Sequence, residues 1–259
     1  MPFLKAERIH SLSASAYSNN RFVLKTGTLY LIPTILADDT AAQVLPPQVA
    51  ERVAALSYFL VENARTARRF IKSVAPNHSI EALRISVIDK DSTEAQIQAA
   101  LQPLLAGHDA GVISEAGCPG IADPGAELAR AAHQASVRVV PLVGPSSLLL
   151  ALMASGMNGQ SFTFHGYLPI ERARRAAAIK QLERLALAQH QTQLFIETPY
   201  RNMQLLADLL AQLSGSTRLC VAASLTGPDE YVRTDTVAGW KKKGLPELHK
   251  QPAVFLIGR

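Results

Sequence analysis

Residues Gly111–Gly125 read GVISEAGCPGIADPG. The stretch opens as the end of an apolar strand (Gly111, Val112, Ile113) and passes directly into small and turn-forming residues. Three glycines and two prolines follow Ile113, around Glu115 and Asp123, and a helical run begins at Ala126. Strand, glycine-rich turn and helix together are how an open α/β sheet offers backbone to a ligand at the carboxyl edge of its strands. The stretch therefore predicts both a fold class and a site.

Outward from it, strands and helices alternate. Gly27–Pro33 (GTLYLIP), Ser57–Val61, Ile85–Asp89 and Val137–Leu142 have the apolar, β-branched make-up of buried strands. Between them Pro47–Leu56, Glu62–Ile71, Ser92–Leu105 and Ala126–Ala135 carry helical spacing. Glu62 would start its helix, where a carboxylate suits the dipole, and Asp123, before Pro124, would cap the helix after it. Gly144–Ser147 would open the apolar helix Leu148–Ala154, with Ser146 and Ser147 either capping it or facing a ligand. Pro33–Leu36 is a candidate second ligand loop without a phosphate fingerprint. Such alternation predicts a parallel sheet covered by helices.

Beyond Gly159, strands are predicted at Ser161–Gly166, Gln193–Glu197, Arg218–Ser224, Glu230–Thr236 and Ala253–Ile257, with helices at Glu171–Ala188 and Tyr200–Leu213. This reads as a second α/β unit with antiparallel strands. The expected division is a loosely attached arm over 1–25, one α/β domain over 26–145 and another over 146–259.

The 259 residues, 48% hydrophobic and 18% charged, suffice for two ordinary cores. Two cysteines, Cys118 and Cys220, make no disulfide framework, and no Cys/His cluster suggests a metal site, which fits a reducing, cytoplasmic setting. Lys5 and Arg8 precede no continuous apolar segment of a signal peptide, and no apolar run approaches the roughly 18–20 residues of a membrane helix. The net charge of +5 is clustered at Arg65, Arg68, Arg69 and Lys72, at Arg172, Arg174 and Arg175, and at Lys241–Lys243. Such clusters suit either an anionic partner such as RNA or plain solvated helix faces.

Taken together, SEAGCPGIADPG at Ser114–Gly125, VVPLVGPSS at Val139–Ser147 and FTFHGYLP at Phe162–Pro169 resemble the tetrapyrrole-methylase superfamily. The likeness is to its branch of ribosomal RNA small-subunit methyltransferase I, supported by GTLYLIPT, ENARTARRFI, IETPYR and the closing QPAVFLIG. Ile35–Asp39 stands where that branch usually has Pro-Ile-Gly-Asn-Leu, Glu62–Arg65 where it has Glu-Asp-Thr-Arg, and Glu115–Cys118 where it has Asp-Ala-Gly-Thr.

The resemblance implies a two-domain α/β methyltransferase with a mainly parallel amino-terminal sheet and a mixed carboxyl-terminal sheet. It implies a homodimer that binds S-adenosylmethionine between the domains and methylates ribosomal RNA at a ribose 2′-hydroxyl during rRNA processing. By position, the cofactor would meet Pro33, Ser114, Glu115, Ala116, Gly117, Cys118, Ile121, Ser146 and Ser147. Glu197, Thr198, Ala223, Ser224, Pro252 and Ala253 would complete that site, and Arg65, Arg69 and Arg201 would contact an anionic substrate. Glu62, Glu115 and Glu197 are the carboxylates that could serve as a base, and the sequence does not choose among them. Two other readings stand beside this one: a methylase of a small, tetrapyrrole-like molecule, and a cofactor-binding homologue without catalysis.

Overall fold

The computed structural model describes residues 26–259, and the expected arm over 1–25 lies outside them. The first sheet contains β1 (Thr28–Ile32), β2 (Tyr58–Val61), β3 (Arg84–Val87), β4 (Ala110–Ile113) and β5 (Arg138–Pro141). Its order is β3-β2-β4-β1-β5, and every pairing is parallel. The connections hold α1 (Ala41–Val44), α2 (Pro47–Ala55), α3 (Ala64–Val74), α4 (Glu94–Leu105) and α5 (Gly125–Gln134).

Side-chain alternation explains the cover on both faces. Leu29, Tyr58 and Leu60 pack with Leu101, Leu104 and Leu128 from α4 and α5. Their neighbours Ile32, Phe59 and Val61 pack on the other face with Val53, Phe70 and Ile71 from α2 and α3. Strands buried on both faces must be apolar throughout, which is why these segments read as unbroken hydrophobic runs.

The second unit runs through α6 (Ser147–Ser155), β6 (Phe162–Tyr167), α7 (Arg172–Gln189), β7 (Thr192–Ile196) and α8 (Asn202–Gln212). It continues through β8 (Arg218–Ala223), β9 (Tyr231–Thr236), α9 (Val237–Lys242) and β10 (Ala253–Gly258). The sheet order is β6-β7-β10-β8-β9, and only β6 and β7 are parallel. The closing strand β10 inserts between β7 and β8, antiparallel to both, with Ala253 opposite Ala223 and Val254 opposite Ile196. Its first residues therefore lie beside the carboxyl ends of its neighbours. Ala151 and Leu152 of α6 cover one face with Leu194, Cys220 and Val254, while α7, α8 and α9 bury Phe195, Val221 and Phe255 on the other.

Several local readings differ from the sequence expectation, the short helix α1 among them. Glu62 does not begin α3; it follows β2, and its N–H donates to Ile113 O. Asn63 is the cap instead, its side-chain oxygen accepting the N–H groups of Arg65 and Thr66, the two positions a cap residue can reach. The cluster Arg172, Arg174 and Arg175 is split, because Arg175 is buried and paired with Asp208 while the other two stay exposed. The helix α9 was not expected; Trp240, buried and donating its Nε1–H to Leu219 O at 2.8 Å, anchors it beneath the exposed lysines 241–243. Among the described residues no helix is long and apolar enough to cross a membrane.

Candidate functional site

The carboxyl ends of β1, β2, β4 and β5 point to one edge of the first sheet, and their loops form one wall of a cavity of about 370 Å³. Leu36 comes from the loop after β1, Glu62 from that after β2, Ser114–Cys118 and Ile121–Asp123 from that after β4, and Ser146–Leu148 from the start of α6. The second sheet supplies the facing wall, with Phe164 and Tyr167 of β6, Ile196, Glu197 and Pro199 at the end of β7, and Pro252–Val254 at the start of β10. A volume in the range of about 300–1,000 Å³ is typical of sites for small molecules.

Short backbone links hold the wall of the first sheet. Thr34 N–H donates to Gly117 O at 2.8 Å, so the loop after β1 is tied to the loop after β4. Gly117 carries φ of +73°, a conformation that costs glycine nothing and other residues much. Asp123 Oδ1 accepts the N–H groups of Gly120 and Gly125, each at 2.7 Å, which closes the turn and satisfies the first N–H of α5; the cap position itself is Pro124, which has no side-chain capping bond. Replacing Asp123 by alanine frees both N–H groups from a charged acceptor, and the expected loss is about 1–3 kcal/mol. A lower urea midpoint at unchanged slope is the measurement.

The expected cofactor residues fall into two groups. Ser114, Glu115, Ala116, Gly117, Cys118, Ile121, Ser146, Ser147, Glu197, Pro252 and Ala253 all line the cavity. Pro33, Thr198, Ala223 and Ser224 do not, although each adjoins a residue of its wall or of the loops that hold it. Ser146 is the residue before α6 but makes no capping bond with its side chain, so capping does not account for its hydroxyl. Leu148, Phe164, Tyr167, Pro199, Ala222 and Leu225 also line the cavity. They are ordinary apolar or turn residues; FTFHGYLP and IETPYR marked the segments of Phe164, Tyr167 and Pro199 without singling these positions out.

The three arginines are not together. Arg65 and Arg69 are exposed one turn apart on α3. Arg201 is half-buried and donates from Nη2 to Glu197 Oε1 at 2.6 Å, a bond that raises its pKa further. The same oxygen accepts the N–H of Thr198, so Glu197 Oε1 holds two donors at the cavity wall.

Electrostatically the cavity is acidic. Burial raises the pKa of Glu62, and the carboxylates of Glu115, Asp123 and Asp89 add to this against one opposing N–H from Glu115. Burial, with Asp123 beside it, likewise raises the Cys118 thiol, which points at the carbonyl of Pro145 at 3.3 Å. Glu115 accepts the hydroxyl of Thr66 at 2.6 Å and so joins the loop after β4 to α3. Carboxylates, backbone carbonyls and a buried, unpartnered Ser114 hydroxyl make a donor set that suits a cationic, hydrogen-bonding ligand.

Residues 33–239 match the family described as Tetrapyrrole (Corrin/Porphyrin) Methylases. The chain is 34% identical over 205 residues to "Ribosomal RNA small subunit methyltransferase I" of Micromonospora olivasterospora, covering 79% of this chain and 61% of that protein. It is 32% identical over 204 residues to the protein of the same name from Escherichia coli O157:H7, covering 77% of this chain and 66% of that one. The chain thus spans less than two thirds of the length of these two relatives. Among solved structures it is similar to the methyltransferase CobJ, at TM-score 0.60 and 19% identity, over 90% of this chain and 95% of that one.

Proposed function

The chain belongs to the tetrapyrrole methylase family, and from that premise we propose that it transfers the methyl group of S-adenosylmethionine to ribosomal RNA. The observation that carries the reading is the cavity itself, built from the carboxyl-edge loops of the first sheet and closed by the second. The donor is a sulfonium cation with a charged amino-acid tail and an adenosine. Residues Ser114–Cys118, Ser146, Ser147 and Pro252–Val254 would hold it largely through backbone groups, and the acidic lining offsets its charge. When bound, it supplies an activated methyl group; the chain's own contribution is to align acceptor and donor and to keep water out.

The choice of RNA over a small tetrapyrrole-like acceptor rests on the names of the two relatives and on the free arginines of α3. Among the described residues Arg65 and Arg69 make no ion pair, and α3 starts two residues after Glu62 at the cavity. Such a substrate implies work in the cytoplasm. A homodimer belongs to the same reading, supported by the exposed Val143, Leu149 and Met153 around α6, and light scattering decides it.

Two measurements test the function. Calorimetry with S-adenosylmethionine should give saturable binding, and none at micromolar protein would sink the assignment. Radiolabelled methyl transfer should mark small ribosomal subunits; label reaching only small molecules would refute the RNA reading. Arg65→Ala and Arg69→Ala should each weaken RNA binding and lower the slope of log affinity against log salt by about one. Their affinity for S-adenosylmethionine should stay unchanged.

A further inference from the structure

Four carboxylates border the cavity, and three are already engaged. Glu197 is held by Arg201 and the N–H of Thr198. Glu115 accepts the Thr66 hydroxyl, and Asp123 Oδ1 accepts two backbone N–H groups. Glu62 differs: among the described residues no cation and no hydroxyl bonds its carboxylate, and only the backbone N–H of Glu115 faces it. The charged groups around it are Glu115 and Asp123 from the loop after β4 and Asp89 from the end of β3, all of one sign.

A second, smaller cavity of about 10 Å³ lies behind this position and is shared by Glu62, Ser114 and Asp123. Ser114 is 8% exposed, and its Oγ, like Asp123 Oδ2, is buried without a protein partner. Buried polar atoms of this kind call for a partner, and the volume is about that of one water. Glu62 therefore sits between the ligand cavity and a small, mostly apolar-walled space whose polar atoms are those of Ser114 and Asp123.

Resting on the methyl-transfer reading above, we propose that Glu62 is the catalytic base that takes the proton of an acceptor hydroxyl. As the bond from the acceptor oxygen to the methyl carbon forms and the carbon–sulfur bond breaks, the hydroxyl proton passes to the Glu62 carboxylate. The products are a methyl ether, a neutral thioether and a protonated Glu62, so charge and atoms balance. A raised proton affinity suits the task, because a base acts best when its pKa approaches the working pH.

The test uses the whole chain with Glu62→Gln and Glu62→Asp, tritiated S-adenosylmethionine and small ribosomal subunits. Glu62→Gln should lose about 10²–10⁴-fold in kcat for methyl transfer, far more than it loses in affinity for S-adenosylmethionine. Glu62→Asp should recover part of the loss. The wild-type rate should climb as Glu62 ionises with rising pH, and that limb should be missing from the residual rate of Glu62→Gln. A second readout needs no acceptor. The folded chain holds the Glu62 proton more tightly than the unfolded chain, so the wild type loses stability as pH rises through the raised value. Glu62→Gln should not, and its melting temperature should gain on the wild type from acid to neutral pH. Transfer by Glu62→Gln within threefold of wild type would overturn the proposal, as would a Glu62 carboxyl that titrates in the ordinary range by carbon-13 NMR. A wild type that binds S-adenosylmethionine but labels no subunit refutes the RNA reading; Glu62→Gln is then compared with wild type on a small hydroxylated acceptor, where transfer within threefold overturns the proposal.

Discussion

Arg175→Ala is expected to cost about 3 kcal/mol of folding stability, the lower end for breaking a buried ion pair from one side, because Asp208 keeps some contact with water. Arg175 is 3% exposed on α7 and donates from Nε and Nη2 to Asp208 Oδ2 of α8, at 2.8 and 2.6 Å. Its Nη1 donates to the carbonyl of Ile170 at 2.6 Å and reaches that of Pro169 at 3.3 Å. Truncation strands a carboxylate and two carbonyls at once. For a chain of this size about 2–4 °C accompanies each kcal/mol, so thermal unfolding should shift by roughly 10 °C. Lysine should rescue little, since one ammonium cannot reproduce a planar fork that serves a carboxylate and two carbonyls. Replacing both charges, in Arg175→Met with Asp208→Leu, should recover much of the loss, because no uncompensated charge remains. The loop pinned by Arg175 follows Tyr167, which lines the cavity, so weaker binding of S-adenosylmethionine should accompany the single variant. A shift under about 3 °C would mean that the pair contributes no more than a surface bridge.

The same arginine shows where sequence reading stops. Arg172, Arg174 and Arg175 are equivalent as text, and the partner that separates them, Asp208, lies 33 residues further along. The strands were legible because burial on both faces leaves a local trace: β4 and β10 are wholly buried and apolar from end to end. The loop after β4 was legible for a similar reason, since glycines and prolines mark backbone that leaves a strand without starting a helix. Glu62 was misplaced because a carboxylate before a basic helix resembles a dipole partner, whereas the side chain that caps is that of Asn63. The facing wall was legible only in part. Phe164 and Tyr167 acquire their place from the parallel pairing of β6 with β7, and Pro252–Val254 from the insertion of β10 between β7 and β8, pairings across the chain that a local reading does not give.

The close approach of two loops at the cavity leads to the second large effect, in Gly144→Ala. A Cβ at Gly144 would stand 2.2 Å from Pro33 Cβ and 2.3 Å from its Cγ, inside any real contact distance. Neither side can yield cheaply. Pro33 is a rigid ring at the end of β1, and the segment before Gly144 is paired with the same strand, Leu142 N–H donating to Leu31 O at 3.0 Å. Relief must come from moving the loop after β1, which carries Leu36 into the cavity and is bonded through Thr34 to Gly117. The overpacking should cost about 1–3 kcal/mol in stability. Function should suffer more, because a displacement of about 1 Å at a positioned reaction centre costs on the order of 10²-fold in rate. The expected result is a folded chain whose affinity for S-adenosylmethionine falls at least about tenfold and whose methyl transfer falls about a hundredfold. Gly159→Ala is the control, since nothing lies within 4 Å of a Cβ there. Unchanged calorimetric affinity in Gly144→Ala would show that the loop after β1 takes no part in holding the donor, and would remove Pro33 and Leu36 from the site.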